Sequence, residues 1–254
     1  MERMHFEQLT IVKASDRPGF NDWVWSFNRG NWPEFMYKDK VAAECWPALE
    51  RAFGEYQFAI TEKATGAIVA QVNSIPLAWD RPLDDLPDTG WDWALCQGVD
   101  DHRGGKPPRI QCALQIAIGP EWRGQGISAH ALEVMKQIGR AMGLNCLVAP
   151  VRPNRKAEFP LMSMDAYCQR TGEDGLPFDP WLRVHIRAGG KILRVCHQSM
   201  LIVGSVKEWE EWTGMKFETS GSHIVPGALV PLMIDHRADI GRYIEPNVWV
   251  RHDL

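Results

Sequence analysis

Residues 116–129 read Ile-Ala-Ile-Gly-Pro-Glu-Trp-Arg-Gly-Gln-Gly-Ile-Ser-Ala, and no other stretch constrains the chain as much. An apolar run stops at a Gly-Pro break. Two closely spaced glycines follow, and a helical pattern begins at once. A strand that hands a glycine-rich loop to a helix N-terminus presents backbone N–H groups and the positive end of the helix dipole to an anion, most often a phosphate. The question for the rest of the chain is which phosphate ligand this loop takes.

Composition removes several answers. A net charge of −4 over 254 residues leaves no global basic surface for nucleic acid. The six cysteines, Cys45, Cys96, Cys112, Cys146, Cys168 and Cys196, form no CxxC pair and no His/Cys cluster, so no metal site is expected. Several lie in apolar runs, as reduced buried thiols do. No stretch approaches the roughly 18 apolar residues that span a bilayer, and residues 1–5 carry no secretory apolar segment. The expectation is a cytoplasmic protein with no membrane partner. Twelve Trp against four Tyr point to dense aromatic packing.

Residues 9–12 read as an edge strand, and Asn31-Trp32-Pro33-Glu34 as a helix start. A helix is expected from Ala42 to Phe53, ending at Gly54. Period-two alternation around Tyr56, Phe58 and Ile60, a turn at Gly66, and a second apolar run to Val72 make a β-hairpin. Residues 80–108 are rich in Pro and Gly and read as a long loop. In the strand from Arg109 to Ile118, alternation places Ile110, Cys112, Leu114, Ile116 and Ile118 on one side and Gln111, Ala113, Gln115 and Ala117 on the other. After the loop, Ile127, Ala131, Val134, Met135, Ile138 and Met142 trace an amphipathic helix closed by Gly143. A short buried strand follows from Asn145 and stops at Pro150. Short helices are expected at 162–170 and 181–188, strands at 192–196 and 199–203, and a capping box at Ser205-Val206-Lys207-Glu208. The residues beyond Lys216 read as peripheral tail.

The loop can be tested against three phosphate patterns. The two Gly-Lys steps, Gly105-Lys106 and Gly190-Lys191, precede Pro107 and Ile192, so the GxxxxGK[ST] loop is absent. A dinucleotide loop needs a third glycine and an acid about twenty residues on; Ala129 and Cys146 stand there. The third pattern fits. Glu121-Trp122-Arg123-Gly124-Gln125-Gly126-Ile127-Ser128 resembles the pyrophosphate loop of the GCN5-related N-acetyltransferase (GNAT) family, Gln/Arg-x-x-Gly-x-Gly/Ala, with Glu121 at the first position. Element order over residues 55–203 is also similar to that family. Val151-Arg152-Pro153-Asn154 resembles its turn after the fifth strand, and His185-Ile186-Arg187-Ala188-Gly189-Gly190 its Tyr-x-x-x-Gly-Phe segment.

The resemblance implies an α/β fold, a GNAT-like mixed central sheet of about seven strands flanked by helices, with N- and C-terminal elaborations. It implies a single domain over 1–254, with the recognisable core at 55–203 and a C-terminal helix and tail at 204–254. The implied activity is transfer of an acyl group, most simply acetyl, from acetyl-CoA or another acyl-CoA to an amine in a ternary complex. Arg123, Gly124, Gln125, Gly126, Ile127 and Ser128 would hold the coenzyme A pyrophosphate, with Asn154 nearby. The pantetheine arm would pair with the backbone of Ile116, Ala117 and Ile118. His185 stands where many members have the Tyr that protonates the leaving thiolate. No carboxylate lies on the central strand, so Asp100, Asp101, His102, Asp165 and Tyr167 are further candidates for proton transfer; Cys112 is expected to be buried rather than nucleophilic. The acceptor is expected to be a small-molecule amine, and the Trp-rich extra loops an acceptor pocket or a homodimer interface. The alternative from another class is a non-catalytic acyl-CoA-binding or regulatory protein.

Overall fold

Period-two alternation builds the hairpin from which the sheet grows. The structure, a computed structural model, describes residues 6–254. Its strands are β1 (Leu9–Lys13), β2 (Gln57–Glu62), β3 (Ile68–Leu77), β4 (Ile110–Ile118), β5 (Cys146–Val151), β6 (Lys191–Gly204), β7 (Gly221–His223), β8 (Leu232–Asp235) and β9 (Ile240–Asp253). They form one mixed sheet of nine strands in the order β1-β2-β3-β4-β5-β9-β8-β7, with β6 along the other edge of β9. The helices are α1 (Phe20–Asn28), α2 (Lys40–Cys45), α3 (Pro47–Phe53), α4 (Gly90–Arg103), α5 (Ile127–Ala141), α6 (Met164–Cys168), α7 (Pro180–Arg187) and α8 (Val206–Thr213). Among the described residues no helix is long and apolar enough to cross a membrane.

Register fixes the layers. Ile75 is paired with Cys112, and a Cβ on Gly98 of α4 would meet Ile75 Cδ1 at 2.4 Å, so α4 lies on that face. On the opposite face, a Cβ on Gly139 of α5 would meet Gln111 Oε1 at 2.5 Å. β4 carries one extra residue, Leu114, between the pairs Ser74↔Ala113 and Asn73↔Gln115. Past this bulge the faces exchange. Gln115 and Ala117 share the face of Cys112, while Ile116 and Ile118 share that of Gln111, which overturns the uniform alternation read from the sequence.

Other differences have equally local causes. The region 80–108 is not a loop: α4 occupies half of it, and Gly98 serves close packing on β3 rather than a turn. The helix expected over 42–53 is two, because Pro47 lacks an N–H and begins α3 at its first position. After Pro33 the chain makes only a short 3-10 turn, Glu34–Lys38. β5 runs past Pro150 to Val151. The runs 192–196 and 199–203 are one strand, β6, with a register break between Cys196 and Met200. The largest correction concerns the tail, since β9 lies at the heart of the sheet between β5 and β6. The capping box forms as read, with Ser205 Oγ accepting from Glu208 N–H. Trp209 and Trp249 are fully buried, and all six cysteines are free.

Candidate active site

β4 and β5 run parallel but pair at only two positions, Gln111↔Leu147 and Cys112↔Val148. Beyond Cys112 the bulge at Leu114 turns β4 away and the strands part toward their C-terminal ends. The polar groups along the gap follow from register. Gly119 donates its N–H to Val69 O on the β3 side. By the two-residue period, Ala117 and Gln115 also face β3, and Ile116 and Ile118 turn their N–H and C=O groups into the gap. Ile118 O lies 3.4 Å from Arg123 Nε, and Leu114 O accepts from Trp91 Nε1 at 2.8 Å.

The glycine loop closes the wide end. Gly124 and Gly126 have φ of +77° and +83°, a region that side-chain-bearing residues rarely enter. Gly126 is the N-cap of α5 and supplies no capping side chain. Arg123 N–H is spent on Pro120 O and His130 N–H on Gly126 O. Among the described residues, the N–H groups of 124–129 have no hydrogen-bond partner. Six donors thus converge at the positive end of a 15-residue helix. Ile127 is buried and can offer only its backbone, while Arg123 is exposed at the rim. Gln125 Nε2 donates to Glu121 O, which stiffens the loop.

The bulge is braced from beyond the C-terminal end of β5, where Val151 faces Val248, by residues that the sequence reading missed. Trp91 N–H donates to Ser199 Oγ at 2.9 Å, and Ser199 Oγ donates to Asn247 Oδ1 at 2.6 Å. Asn247 Nδ2 and Tyr243 OH donate to the two oxygens of the fully buried Glu245, which also takes both from Arg152 Nε at 2.9 and 3.0 Å. Next to Trp91, Asp92 Oδ2 accepts from Leu201 N–H. Burial, and then the neighbouring Asp39, push the Asp92 carboxyl up to about 9. Burial raises Asp39 too. At neutral pH Asp92 is therefore protonated and donates to Asp39, whose other oxygen caps α2 through Val41 and Ala42 N–H. A signal existed in Tyr243-x-Glu245-x-Asn247, polar residues two apart on one strand face. It was obscured by the absence of apolar alternation.

Of the residues expected at the site, Ile116, Ile118 and the loop 123–128 converge on the gap. Ala117 faces β3 with its backbone. Asn154 is exposed in the turn after β5, at the same end of the sheet as the loop. His185 does not join them. It is buried in α7, with Nδ1 2.9 Å from His252 Nε2, and His252 pairs with Leu147 at the opposite end of β5. Four residues of strand, roughly 13 Å, separate that level from Val151. Burial pushes His185 down to about 3, so at neutral pH it is a neutral imidazole and not the imidazolium that a general acid of this type would need. The remaining candidates are also engaged elsewhere. Asp101 binds Lys106, Gln97 and Ala78 N–H, Asp100 pairs with Arg103, Tyr167 OH donates to Asp179, and His102 packs on Phe53. Asp165 lies 3.8 Å from exposed His197. Cys112 is fully buried with its thiol pushed up by that burial.

A mixed sheet whose parallel central pair parts above a glycine loop and helix N-terminus defines an acyltransferase of the GNAT type, and the chain belongs to the GNAT superfamily of N-acetyltransferases. The relative that shows it is the arginine N-acetyltransferase avaD of Aspergillus versicolor, 31% identical over 249 residues, with 88% of this chain and 85% of that protein covered. Among solved structures, the loading GNATL domain of CurA from Lyngbya majuscula has the same fold, with a TM-score of 0.57 at 18% identity over 96% of this chain and 97% of that one. A mosquito arylalkylamine N-acetyltransferase-like protein, 5b, superposes with a TM-score of 0.48 at 10% identity over 97% and 100%. No family model matches the chain.

Proposed function

We propose that this amine N-acetyltransferase takes its acetyl group from acetyl-CoA and delivers it to a small-molecule amine of the arginine type. The donor pyrophosphate sits on the N–H groups of Gly124, Gln125, Gly126, Ile127 and Ser128, with Arg123 and Asn154 at the rim. The pantetheine arm lies along Ile116 and Ile118. The observation that carries this reading is the set of uncommitted loop N–H groups placed at the mouth of the β4–β5 gap. The acceptor class is drawn from the relative's arginine and accords with one net negative charge on the Asp39–Asp92 pair, which binds Leu201 N–H beyond the C-terminal end of β5. In the transfer, the amine nitrogen bonds to the thioester carbonyl carbon, the C–S bond breaks, coenzyme A leaves as its thiol, and the nitrogen gives up a proton.

Calorimetry with acetyl-CoA and a thiol-release assay over arginine, other guanidinium amines, simple alkylamines and a basic peptide test the reading. Turnover with arginine-type amines is the expected result. Tight acetyl-CoA binding with no turnover on any amine would instead make the chain a non-catalytic acyl-CoA sensor. No binding to coenzyme A or its thioesters would remove the donor assignment.

A further inference from the structure

We propose that Trp91 is a positioning residue for acyl transfer: its indole N–H holds the Leu114 carbonyl and thereby fixes the stretch of β4 against which the reacting thioester lies. The inference rests on the acetyl-CoA reading above. The gap closes where Cys112 pairs with Val148. From Ile118, beside the loop, to Leu114 is four residues of strand, roughly 13 Å. An extended arm anchored at the loop therefore ends at the bulge.

Leu114 is the extra residue of that bulge and has no partner on β3. Its carbonyl is turned out of the ladder, and the residue is 9% exposed. Left alone, that oxygen would be a poorly solvated acceptor facing the carbonyl oxygen of the donor, and the two dipoles would repel. Trp91 Nε1 ties it off at 2.8 Å. The donors that remain on this edge of β4 are the N–H groups of Ile116 and Ile118, the polarity a thioester oxygen needs.

The indole is held on several sides. Its backbone N–H is bound to Ser199 Oγ, which is bound in turn to Asn247 and through it to Glu245. Its ring stacks on Trp46 with centroids 6.0 Å apart and planes 18° from parallel. The preceding Gly90 has φ of +30°, and a Cβ there would lie 2.3 Å from Ser199 Oγ, so only glycine lets the start of α4 approach β6 this closely. A side chain packed merely to fill space would not need its backbone and its ring nitrogen bonded to two different strands.

Trp91→Phe keeps an aromatic ring on Trp46 and removes the N–H together with the smaller ring that carries it. The expected result is a fall in kcat of about 10- to 100-fold, as for small misplacements of reacting groups. KM for acetyl-CoA and the Kd of free coenzyme A should stay within about twofold, while the thermal midpoint falls by a few degrees because the Leu114 carbonyl loses its donor. Ser199→Ala loosens the anchor while leaving the indole, so kcat should fall less, again with KM held; it serves as the test should Trp91→Phe fail to fold. An unchanged kcat in Trp91→Phe, or a loss of kcat matched by an equal loss of coenzyme A affinity, overturns the role. Failure of the unmodified protein to bind coenzyme A would overturn the donor reading itself, and the role with it. That outcome is visible in the calorimetry before any variant is made.

Discussion

His185 Nδ1 and His252 Nε2 face each other at 2.9 Å in the interior, joining α7 to the end of β9. Among the described residues, neither outer ring nitrogen has a hydrogen-bond partner. Burial, reinforced by the partner ring, pushes His185 down to about 3; burial and then Lys136 push His252 down to about 4. The pair is therefore neutral in the folded protein over the range in which imidazole normally titrates.

That pair makes folding acid-sensitive. Unfolded histidines take up protons near pH 6.5, while the folded pair stays neutral until about pH 4. Below pH 6.5 the unfolded chain binds more protons, so stability is full above that pH and is lost as pH falls toward 4. The loss is on the order of 1.4 kcal/mol per pH unit for each histidine. In His185→Phe the slope between pH 6 and 4.5, measured by denaturant unfolding, should drop by about one histidine's share. The pH profile of turnover should not move. A shifted profile would restore His185 to the reaction.

Much of the donor side was legible in the sequence because it is local. A strand, two glycines and an amphipathic face are contiguous, and the strand–loop–helix order over residues 116–128 is as read, although the faces of residues 116–118 are exchanged. The bulge at Leu114 was not legible, since it depends on the partner strand's register. α4 was hidden because Gly90 and Gly98, placed for close approach to Ser199 and Ile75, look like turn residues. β9 was hidden because Tyr243, Glu245 and Asn247 point polar groups inward, toward Arg152 and Ser199. Where a core is polar, apolar periodicity carries no signal, and the polar stretch of β9 beyond the C-terminal end of β5 is built that way.

Asp92 tests the proton assignment at this end. Its folded carboxyl is held at about 9, chiefly by burial, above its usual value near 3.9. Between these values the folded state binds the extra proton, so stability falls as pH rises. Asp92→Asn has the shape of the protonated acid and can still donate to Asp39. The variant should match or exceed the native protein in stability at pH 7, and its advantage should widen from pH 5 to pH 8. A pH-independent difference in unfolding free energy would mean that Asp92 is ionised in the folded protein.

Glu245 should carry more stability than any single hydrogen bond near it. Its carboxylate is fully buried and takes Arg152, Tyr243 and Asn247 together. Burial works against the Arg152 charge, and Glu245 and Tyr243 more than restore it. Glu245→Ala strands that guanidinium, and removing one member of a buried pair costs about 3–5 kcal/mol. At roughly 2–4 °C per kcal/mol for a chain of this size, the thermal midpoint should drop visibly. Arg152→Ala added to Glu245→Ala should cost much less than the sum of the two. Simple additivity would show that the residues do not act as a pair.

Gly126 separates backbone strain from ligand binding. At φ +83° an alanine pays about 1–2 kcal/mol for the left-handed conformation, although its Cβ would meet only Phe6 Cζ, at an ordinary 3.6 Å. Relief of that strain must rotate the N–H groups that open α5. Gly126→Ala should therefore lower stability and also weaken acetyl-CoA about tenfold, the equivalent of one or two hydrogen bonds. Gly143, just beyond the other end of the same helix, has φ +70° and open space around its Cβ position. Gly143→Ala should cost similar stability and leave acetyl-CoA affinity unchanged in calorimetry. Equal weakening by both variants would mean that the loop responds to the stability of α5 as a whole, and that its N–H groups are not where the pyrophosphate binds.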